Sequence, residues 1–394
     1  MRSVDYDVII AGGGLAGLLS AKEASSRGLN VAVIEEDLEI GVPDKCDGLV
    51  SMNALMRLGI IPTSRSMQNA IRRVLLYPPN GKALEADTSN LKMVVLDRSI
   101  FDKEMARRAA SKGAELILGE RVTQAVEEEG YIRVDAQRSL RSKVYVEARG
   151  TSALPANRQR SLIPAARYDI EAKWLQEDTI EIYVDNTRFP GFFLWVIPTG
   201  EDSAKVGVAG RSINCFATLD EFLEQRGGRV VKKVSAPIYV GSPVDRLVRG
   251  RVMVVGDCAG QTKPSTGGGI YSCGLAGIFS GQAAANYILD GRSDALEEYE
   301  RRWLHLFKRD FKITLQARKI YEKIDNQGIE KLFNLLKEKN LINEILQQGD
   351  FDEHSKWVKQ FLGIQDAMKV FSIVAAEEVK HLVKQVNEFL MQRG

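Results

Sequence analysis

Residues 7–24 read DVIIAGGGLAGLLSAKEA, which predicts a short apolar strand, a glycine turn and the start of a helix. The glycines follow the spacing Gly12-x-Gly14-x-x-Gly17. In such a unit the first glycine permits a tight turn, the second lets the backbone approach a pyrophosphate, and the third lets the helix pack closely on the strand. The helix N-terminus then favours the pyrophosphate, because its free N–H groups and its dipole attract anions. The stretch therefore predicts a dinucleotide-binding unit.

A second apolar run follows this unit and ends in an acid. Residues 30–34 read NVAVI. They are followed by Glu35, about 20 residues after the glycines, where a dinucleotide-binding fold places the acceptor for a ribose hydroxyl. Strand, glycines, helix, second strand and acid together favour a dinucleotide site. The alternative is a glycine turn in another kind of α/β domain, and the turn alone does not separate NAD from FAD.

Length and composition bound the remaining possibilities. With 394 residues, 44% of them hydrophobic and 27% charged, the chain has the composition of a soluble globular protein of two or three units. The net charge of +2 gives no argument for nucleic-acid binding. Four cysteines without a C-x-x-C pair, together with three histidines, argue against a metal site. We expect a cytoplasmic protein, because there is no signal-peptide pattern and no run of about 18 apolar residues, while contact with a membrane surface stays open.

The pattern of predicted elements changes along the chain. Residues 71–77 and 92–96 are predicted strands around the turn PPNG, and a helix is predicted over 97–112. Alternating segments between 165 and 240 predict an antiparallel sheet, and the chain reads helical from about 293. These changes predict a discontinuous dinucleotide-binding domain (1–70, 96–164 and 245–300), a β-sheet substrate domain (71–95 and 165–244) and a C-terminal helical domain (301–394).

Five separated motifs together carry a resemblance to a known family. They are the glycine turn with Glu35, DRSIFD at 97–102, VYVEARGTS at 144–152, FLWVIP at 193–198, and VGDCAG at 255–260 with Pro264 and GGGI at 267–270. Their order resembles that of flavoproteins of the para-hydroxybenzoate hydroxylase type, and specifically the geranylgeranyl reductase branch. The resemblance implies an α/β fold: a Rossmann-like FAD-binding domain with an inserted antiparallel substrate sheet and a C-terminal helical region.

The resemblance also implies a cofactor site in which both ends of FAD have separate partners. Asp257 would accept hydrogen bonds from the ribityl hydroxyls, and the helix that begins at Ile270 would stabilise the negative charge of reduced flavin. Arg98 would contact the cofactor from the opposite side, or lie on the surface as a helix-start arginine. The implied cofactor-binding residues are Gly12, Gly14, Ala16, Gly17, Glu35, Cys46, Asp47, Gly48, Arg98, Val122, Asp257, Gly268, Gly269 and Ile270.

Two positions depart from the family pattern in ways that bear on chemistry. Cys46 lies in the turn KCDG, where the reductases carry a cysteine beside the flavin, and Asp47 interrupts the C-G order. Cys46 is therefore predicted to position the flavin or protonate the substrate, or else to fill space in the turn. Arg149 replaces a small residue, and it would reach a phosphate or point to solvent.

An aromatic segment is predicted to wall the substrate cavity. Phe192, Phe193, Trp195 and Pro198 are the implied substrate-binding residues, because aromatic side chains offer apolar area to an isoprenoid chain without polar demands. The alternative is ordinary sheet core. Phe193 stands where the family has a tyrosine, which removes a hydroxyl that would donate a proton.

The resemblance implies an FAD-dependent reductase of lipid metabolism that saturates the isoprenoid double bonds of a prenyl lipid or prenyl diphosphate, as in archaeal membrane lipids. Electrons would come from an external donor: NAD(P)H, ferredoxin or a deazaflavin. One alternative is a flavin monooxygenase or halogenase of the same fold, since FLWVIP also resembles the halogenases' W-x-W-x-I-P. Another is an electron-transfer flavoprotein that reduces a quinone. The helices after residue 300 would cap the cavity or face a membrane.

Overall fold

The computed structural model describes residues 4–338, 342–343 and 350–358. The part of the predicted C-terminal helical domain from 359 to 394 lies outside the described residues. The strands are β1 (Tyr6–Ala11), β2 (Val31–Glu35), β3 (Leu49–Ser51), β4 (Met67–Ile71), β5 (Arg73–Tyr77), β6 (Leu84–Asp87), β7 (Met93–Leu96), β8 (Glu115–Leu118), β9 (Gln124–Glu128), β10 (Tyr131–Asp135), β11 (Ser139–Glu147), β12 (Leu162–Ile163), β13 (Ala165–Glu171), β14 (Thr179–Tyr183), β15 (Leu194–Gly200), β16 (Ser203–Ala209), β17 (Arg229–Ser235), β18 (Ile238–Tyr239), β19 (Val248–Arg249) and β20 (Val252–Val254).

The structure has the predicted helices after the glycine turn, at 97–112, at Ile270 and beyond 293, whereas the helix Cys215–Arg226 lies in the region predicted as an antiparallel sheet. The helices are α1 (Leu15–Ser26), α2 (Met52–Arg57), α3 (Arg98–Ala110), α4 (Cys215–Arg226), α5 (Ile270–Leu289), α6 (Ala295–Tyr321) and α7 (Asn326–Glu338). The helix predicted over 97–112 begins one residue later, because Asp97 is its N-cap and its carboxylate accepts from Ile100 N at 3.0 Å. Among the described residues, no helix is long and apolar enough to cross a membrane.

The first sheet carries the glycine turn. Its main path runs β19-β20-β11-β1-β2-β8, and the neighbours from β20 to β8 pair in parallel. A hairpin of β9 and β10 extends it from β11. Strands β1 and β2 are almost wholly buried because helices cover one face and the hairpin of β9 and β10 covers the other, which explains their continuous apolar runs. Helices α1 and α5 lie side by side, and a side chain at Gly277 would overlap the Ala16 carbonyl oxygen.

The second sheet is the predicted insertion. Its order is β17-β13-β16-β15-β14-β5-β6, antiparallel except for the parallel pair β5 and β14. Its side chains alternate between two clusters: Leu194 and Val196 pack toward α4, whereas Trp195 and Ile197 pack on the opposite face. The predicted α/β class with an inserted, largely antiparallel sheet is confirmed. The residue boundaries of the predicted domains stay a prediction.

The prediction for residues 71–77 and 92–96 is wrong in its pairing. The first run is broken at Arg72, so that β4 joins a small sheet of order β3-β7-β4 while β5 joins the second sheet. The PPNG turn leads from β5 to β6, not to the strand at 92–96. Both runs are apolar enough to be strands, and only the packing of two separate sheets decides which partner each strand takes.

Candidate functional site

The glycine turn between β1 and α1 is fixed by the packing of α1 and by a hydrogen bond from the turn to Glu35 at the end of β2. A side chain at Gly17 would overlap the carbonyl oxygen of Gly12, so the helix lies directly against the turn. The Cβ position of Gly14 is open, with no atom within 4 Å. Glu35 fastens the turn, because its carboxylate accepts from the backbone N–H of Gly13 at 2.5 Å and of Asp37 at 3.0 Å. The turn therefore presents open space at the position where a pyrophosphate approaches in dinucleotide-binding folds.

Arg149 takes neither of the two predicted positions. Its guanidinium pairs with the Glu147 carboxylate, at 2.9 Å from Nε to Oε1 and 2.6 Å from Nη2 to Oε2. A further N–H donates to the carbonyl oxygen of the buried Val122 at 2.5 Å. The prediction that Arg149 reaches a phosphate or solvent is therefore wrong, because Glu147, the last residue of β11 and two residues earlier, engages it. Arg149 instead joins the end of β11 to the segment of Val122.

The second glycine-rich region brings Asp257 to the start of α5. Gly269 is the N-cap of α5 and supplies no capping side chain, so no cap side chain accepts from the first N–H groups of the helix. Asp257 lies next to this end, 3.8 Å from Oδ1 to the Cys273 Sγ. Burial raises the pKa of the Asp257 carboxyl, and the Arg98 guanidinium opposes that rise. The two parts of the predicted motif, although separated in sequence, lie together.

Arg98 is largely buried rather than a surface residue. It forms a two-pronged pair with Asp102, one turn along α3, at 3.1 Å and 2.9 Å. Burial lowers the pKa of the guanidinium, but Asp102, Cys46 and Asp44 together raise it more, and so its pKa is raised overall. Arg98 is therefore a fixed positive charge near the turn of Cys46 and near Asp257.

The turn of Cys46, Asp257 and the start of α5 line a cavity of about 300 Å³. Of the predicted site residues, those that line it are Cys46, Asp47, Gly48, Phe192, Phe193, Trp195, Asp257, Gly268, Gly269 and Ile270. Those outside its lining are Gly12, Gly14, Ala16, Gly17, Glu35, Arg98, Val122 and Pro198. Pro198 is buried further along β15, and its carbonyl oxygen accepts from Asn69.

Three aromatic rings form one wall of the cavity. Phe192 and Phe193 stack with ring centroids 4.3 Å apart. Trp195 meets both edge-on, at 6.1 Å and 5.8 Å. Phe192 and Phe193 precede β15 rather than lying on it, so the wall combines a turn with the first residues of a strand. Ile180, Ile182 and Ile197 extend the apolar surface.

Sequence reasoning missed the two basic residues that hold the turn of Cys46. Arg167 on β13 donates to the carbonyl oxygen of Cys46 at 2.8 Å. Lys205 on β16 donates to the carbonyl oxygen of Asp47 at 3.1 Å. Asp44 lies in the same turn. Burial raises the pKa of its carboxyl, but the positive charges of Lys205 and Arg167 lower it by more, so the pKa falls below the usual range. The available signal was a charged residue inside an otherwise apolar strand, since such residues are rarely buried unless paired.

Lys263 is a second residue that sequence reasoning missed. It lies in the loop between VGDCAG and GGGI. Lys263 is buried, with 6% of its surface exposed, and it lines the cavity. His354 and Phe351, nearly ninety residues later in the sequence, contact its amino group. No local pattern in the sequence indicates this contact.

The fold and the site together define a flavoprotein of the para-hydroxybenzoate hydroxylase type. A geranylgeranyl bacteriochlorophyll reductase-like protein from Thermoplasma acidophilum superposes with a TM-score of 0.82 at 22% identity, over 94% of this chain and 99% of that one. A flavin-dependent brominase superposes with a TM-score of 0.68 at 15% identity, over 99% and 100%. These likenesses establish the fold, and these neighbours include flavin-dependent enzymes.

Relatives at the level of sequence define the branch. The chain is 30% identical to digeranylgeranylglycerophospholipid reductase 2 of Methanopyrus kandleri, over 86% of this chain and 92% of the relative. It is also 30% identical to the digeranylgeranylglycerophospholipid reductase of Methanosarcina acetivorans, over 84% and 89%. A profile described as lycopene cyclase protein matches residues 7–172. The chain belongs to the geranylgeranyl reductase family, and the resemblance inferred from the five motifs is confirmed.

Proposed function

We propose that this protein is an FAD-dependent reductase that saturates the isoprenoid double bonds of a prenyl lipid or prenyl diphosphate. The apolar cavity carries the proposal, because it joins the start of α5 and Asp257 directly to the aromatic wall. Relatives named for a digeranylgeranyl glycerophospholipid support a lipid-linked chain as the substrate. No strongly basic diphosphate motif occurs in the sequence, which favours the same choice.

The residues present fit FAD on the evidence of the two glycine regions. The open Cβ position of Gly14 leaves room for a pyrophosphate, and a side chain at Gly17 would close the turn. At the other end, the uncapped N–H groups at the start of α5 suit the pyrimidine edge of a flavin. We assign the ADP end to Gly12, Gly14, Ala16, Gly17, Glu35 and Val122, and the flavin end to Cys46, Asp47, Gly48, Arg98, Asp257, Gly268, Gly269 and Ile270.

Reduced FAD, when bound, supplies a hydride. The part of the chain is to bind and orient the other reactant. Phe192, Phe193 and Trp195 offer apolar area to the isoprenoid chain and exclude water from the double bond. Arg167 and Lys205 hold the turn of Cys46, which also lines the cavity, and so fix this part of the substrate space.

The test of this function uses the flavin-loaded protein under anaerobic conditions. The flavin is reduced with dithionite, a digeranylgeranyl glycerophospholipid is added, and the products are analysed by mass spectrometry. We expect a gain of the mass of two hydrogen atoms for each reduced double bond. An unchanged lipid would contradict the proposal, and an oxygenated product after admission of oxygen would support a monooxygenase instead.

A matched pair of tryptophans tests the role of the aromatic wall. Trp195→Leu removes a ring from the cavity, whereas Trp174→Leu removes a ring that packs on the other side of the sheet, against Phe222. We expect Trp195→Leu to lower lipid turnover at unchanged flavin content, while Trp174→Leu keeps the turnover. Equal turnover in the two variants would contradict the assignment of the wall.

The role of Cys46 stays open between positioning, protonation and filling of space. Cys46 lines the cavity and is half-buried. Cys46→Ser and Cys46→Ala separate these roles, because only the serine retains a group that donates a hydrogen bond. Turnover that is unchanged in both variants would leave Cys46 as a space-filling residue.

The electron donor is proposed to be external. NAD(P)H, ferredoxin and a reduced deazaflavin are offered separately to the oxidised protein, and the loss of flavin absorbance identifies the donor.

Contact with a membrane surface is tested by cosedimentation with vesicles of the lipid substrate. Binding that a high salt concentration abolishes would indicate an electrostatic contact.

A further inference from the structure

Lys263 places an amino group beside the substrate cavity. The residue lies in the loop between Asp257 and the start of α5, and this loop closes on itself through hydrogen bonds between Lys263 and residues 267 and 268. The Lys263 side chain lines the cavity together with Phe351 and Asp352. A Cβ at Gly268 would lie 3.7 Å from the Lys263 Nζ. The amino group is therefore next to the end of the cavity assigned to the flavin.

The segment 350–358 supplies the partners of this amino group. Nζ donates to the carbonyl oxygen of Phe351 at 2.8 Å, and it lies 3.4 Å from His354 Nε2. The Phe351 ring also lies against Nζ, 4.6 Å from its centroid. An ammonium has three N–H donors, and among the described residues only these two conventional hydrogen-bond partners are found, so a molecule in the cavity competes with the face of the ring for the third donor. Asp310 on α6 fixes the segment, since its carboxylate accepts from Ser355 N at 2.7 Å.

His354 connects the amino group to a less buried hydroxyl. His354 Nδ1 lies 2.7 Å from the Ser265 Oγ, and Ser265 is partly exposed. Because an ammonium only donates, Nε2 accepts from Lys263 and Nδ1 carries the hydrogen toward Ser265. An imidazole passes a proton by accepting at one nitrogen and releasing from the other. Lys263, His354 and Ser265 therefore form a path for protons into the cavity.

Burial of Lys263 favours an acid that releases its proton readily, whereas the carboxylates around it oppose that release. Burial lowers the pKa of the Lys263 ammonium, against the opposing effect of Asp352, Asp310 and Asp350. Burial and the charge of Lys263 hold the pKa of His354 well below 6.5, so His354 is neutral.

We propose that Lys263 is the acid that protonates the isoprenoid double bond. The inference rests on the proposed reductase function. One alkene carbon takes a hydride from reduced flavin, which is oxidised by two electrons, and the other carbon takes a proton from the Lys263 ammonium. The π bond breaks, two C–H bonds form, and one N–H bond of Lys263 breaks. Once Lys263 is a neutral amine, His354 exchanges to the tautomer that carries its hydrogen on Nε2. Nε2 then donates that proton to the amine while Nδ1 accepts one from the side of Ser265, which restores the starting arrangement.

Three substitutions of Lys263 separate acid chemistry from structure. Lys263→Arg keeps a positive charge and its hydrogen bonds, but a guanidinium does not release its proton near neutral pH. Lys263→Met removes the amine, and Lys263→Ala leaves space for an added one. We expect all three variants to bind flavin as the wild type does, and their bound flavin to be reduced as in the wild type. Their lipid turnover should fall by about 10²- to 10⁴-fold.

Two readouts would not respond to a merely structural role. Methylamine restores turnover to Lys263→Ala, and the pH profile of the rescued variant follows the pKa of the added amine. Wild-type turnover falls as the pH rises through the pKa of Lys263, below its ordinary 10.5. Lys308→Ala, which removes an exposed lysine on α6, is the control and shows neither the loss nor the rescue.

The outcomes separate this inference from the proposed function. If the wild type yields no saturated lipid, the proposed function fails. If the wild type is active and Lys263→Arg matches its turnover, only the inference is overturned. A measurement independent of turnover is the ¹⁵N NMR titration of lysine Nζ in the flavin-loaded protein. It must show a resonance that is missing in Lys263→Met and that titrates below the ordinary lysine range, and its absence overturns the inference.

Discussion

Gly207 on β16 lies directly opposite Trp195 on β15, and the tryptophan ring covers it. A Cβ at Gly207 would overlap the six-membered ring and would lie 2.8 Å from the indole Nε1, whereas ordinary contacts begin at 3.4 Å. The backbone of Gly207 is outside the left-handed region, so alanine is compatible with it. The substitution Gly207→Ala therefore isolates the contact between the strand and the cavity wall.

The expected magnitude follows from two opposing effects. Replacing glycine by alanine at a compatible position stabilises a protein by about 0.4–1 kcal/mol, because it restricts the unfolded chain. Overpacking of a filled site costs about 1–3 kcal/mol. Trp195 is 7% exposed and meets Phe192 and Phe193 edge-on, so the ring can shift only toward the cavity, and such a shift disturbs the aromatic wall. We expect a net destabilisation of roughly 1–2 kcal/mol, with a lower turnover because the wall shifts.

A double-mutant cycle with Trp195→Leu is the assay. Removing the ring also removes the overlap, so adding Gly207→Ala to Trp195→Leu should cost nothing further. We expect a coupling of about 1–2 kcal/mol between the two sites, measured by urea unfolding followed by circular dichroism. If the two changes are additive, or if Gly207→Ala stabilises the wild type, the argument from the contact is refuted.

Three further predictions concern other parts of the molecule. Gly17→Ala should lower both the bound flavin and the stability, because the added carbon overlaps the turn. Gly14→Ala should lower only the bound flavin, because its Cβ position is open within the protein. Flavin absorbance measures the bound flavin, and urea unfolding measures the stability. Arg149→Met should destabilise the fold by about 1–3 kcal/mol, since it leaves the Glu147 carboxylate without its charged partner, with only the Tyr145 hydroxyl and a backbone N–H as donors. Adding Glu147→Gln should recover part of this loss, and no recovery would count against the pair. Because the folded pKa of His354 lies below 6.5, the unfolded chain binds more protons as the pH falls below 6.5, and stability decreases. His354→Asn should make this acid slope shallower, as unfolding at several pH values will show.

The parts of the site that were predictable have short-range causes. The spacing of Gly12, Gly14 and Gly17 reflects steric limits within one turn, and those limits can be read from the residues themselves. The contact between Asp257 and the start of α5 was predictable because only a short loop separates them. The fate of Arg149 was not predictable, because its partners depend on how the end of β11 meets the segment of Val122.

The sequence by itself determined the α/β class, the dinucleotide turn, the second glycine-rich region and the family, because each depends on local backbone geometry or on the order of motifs. Only the tertiary structure decided which strands pair around residue 72, and that Arg167 and Lys205 hold the turn of Cys46. The contact between His354 and Lys263 is likewise visible only in the tertiary structure. The physical reason is that such contacts join residues that lie far apart in the chain, and their burial and pairing follow from packing between sheets and helices that no local pattern records.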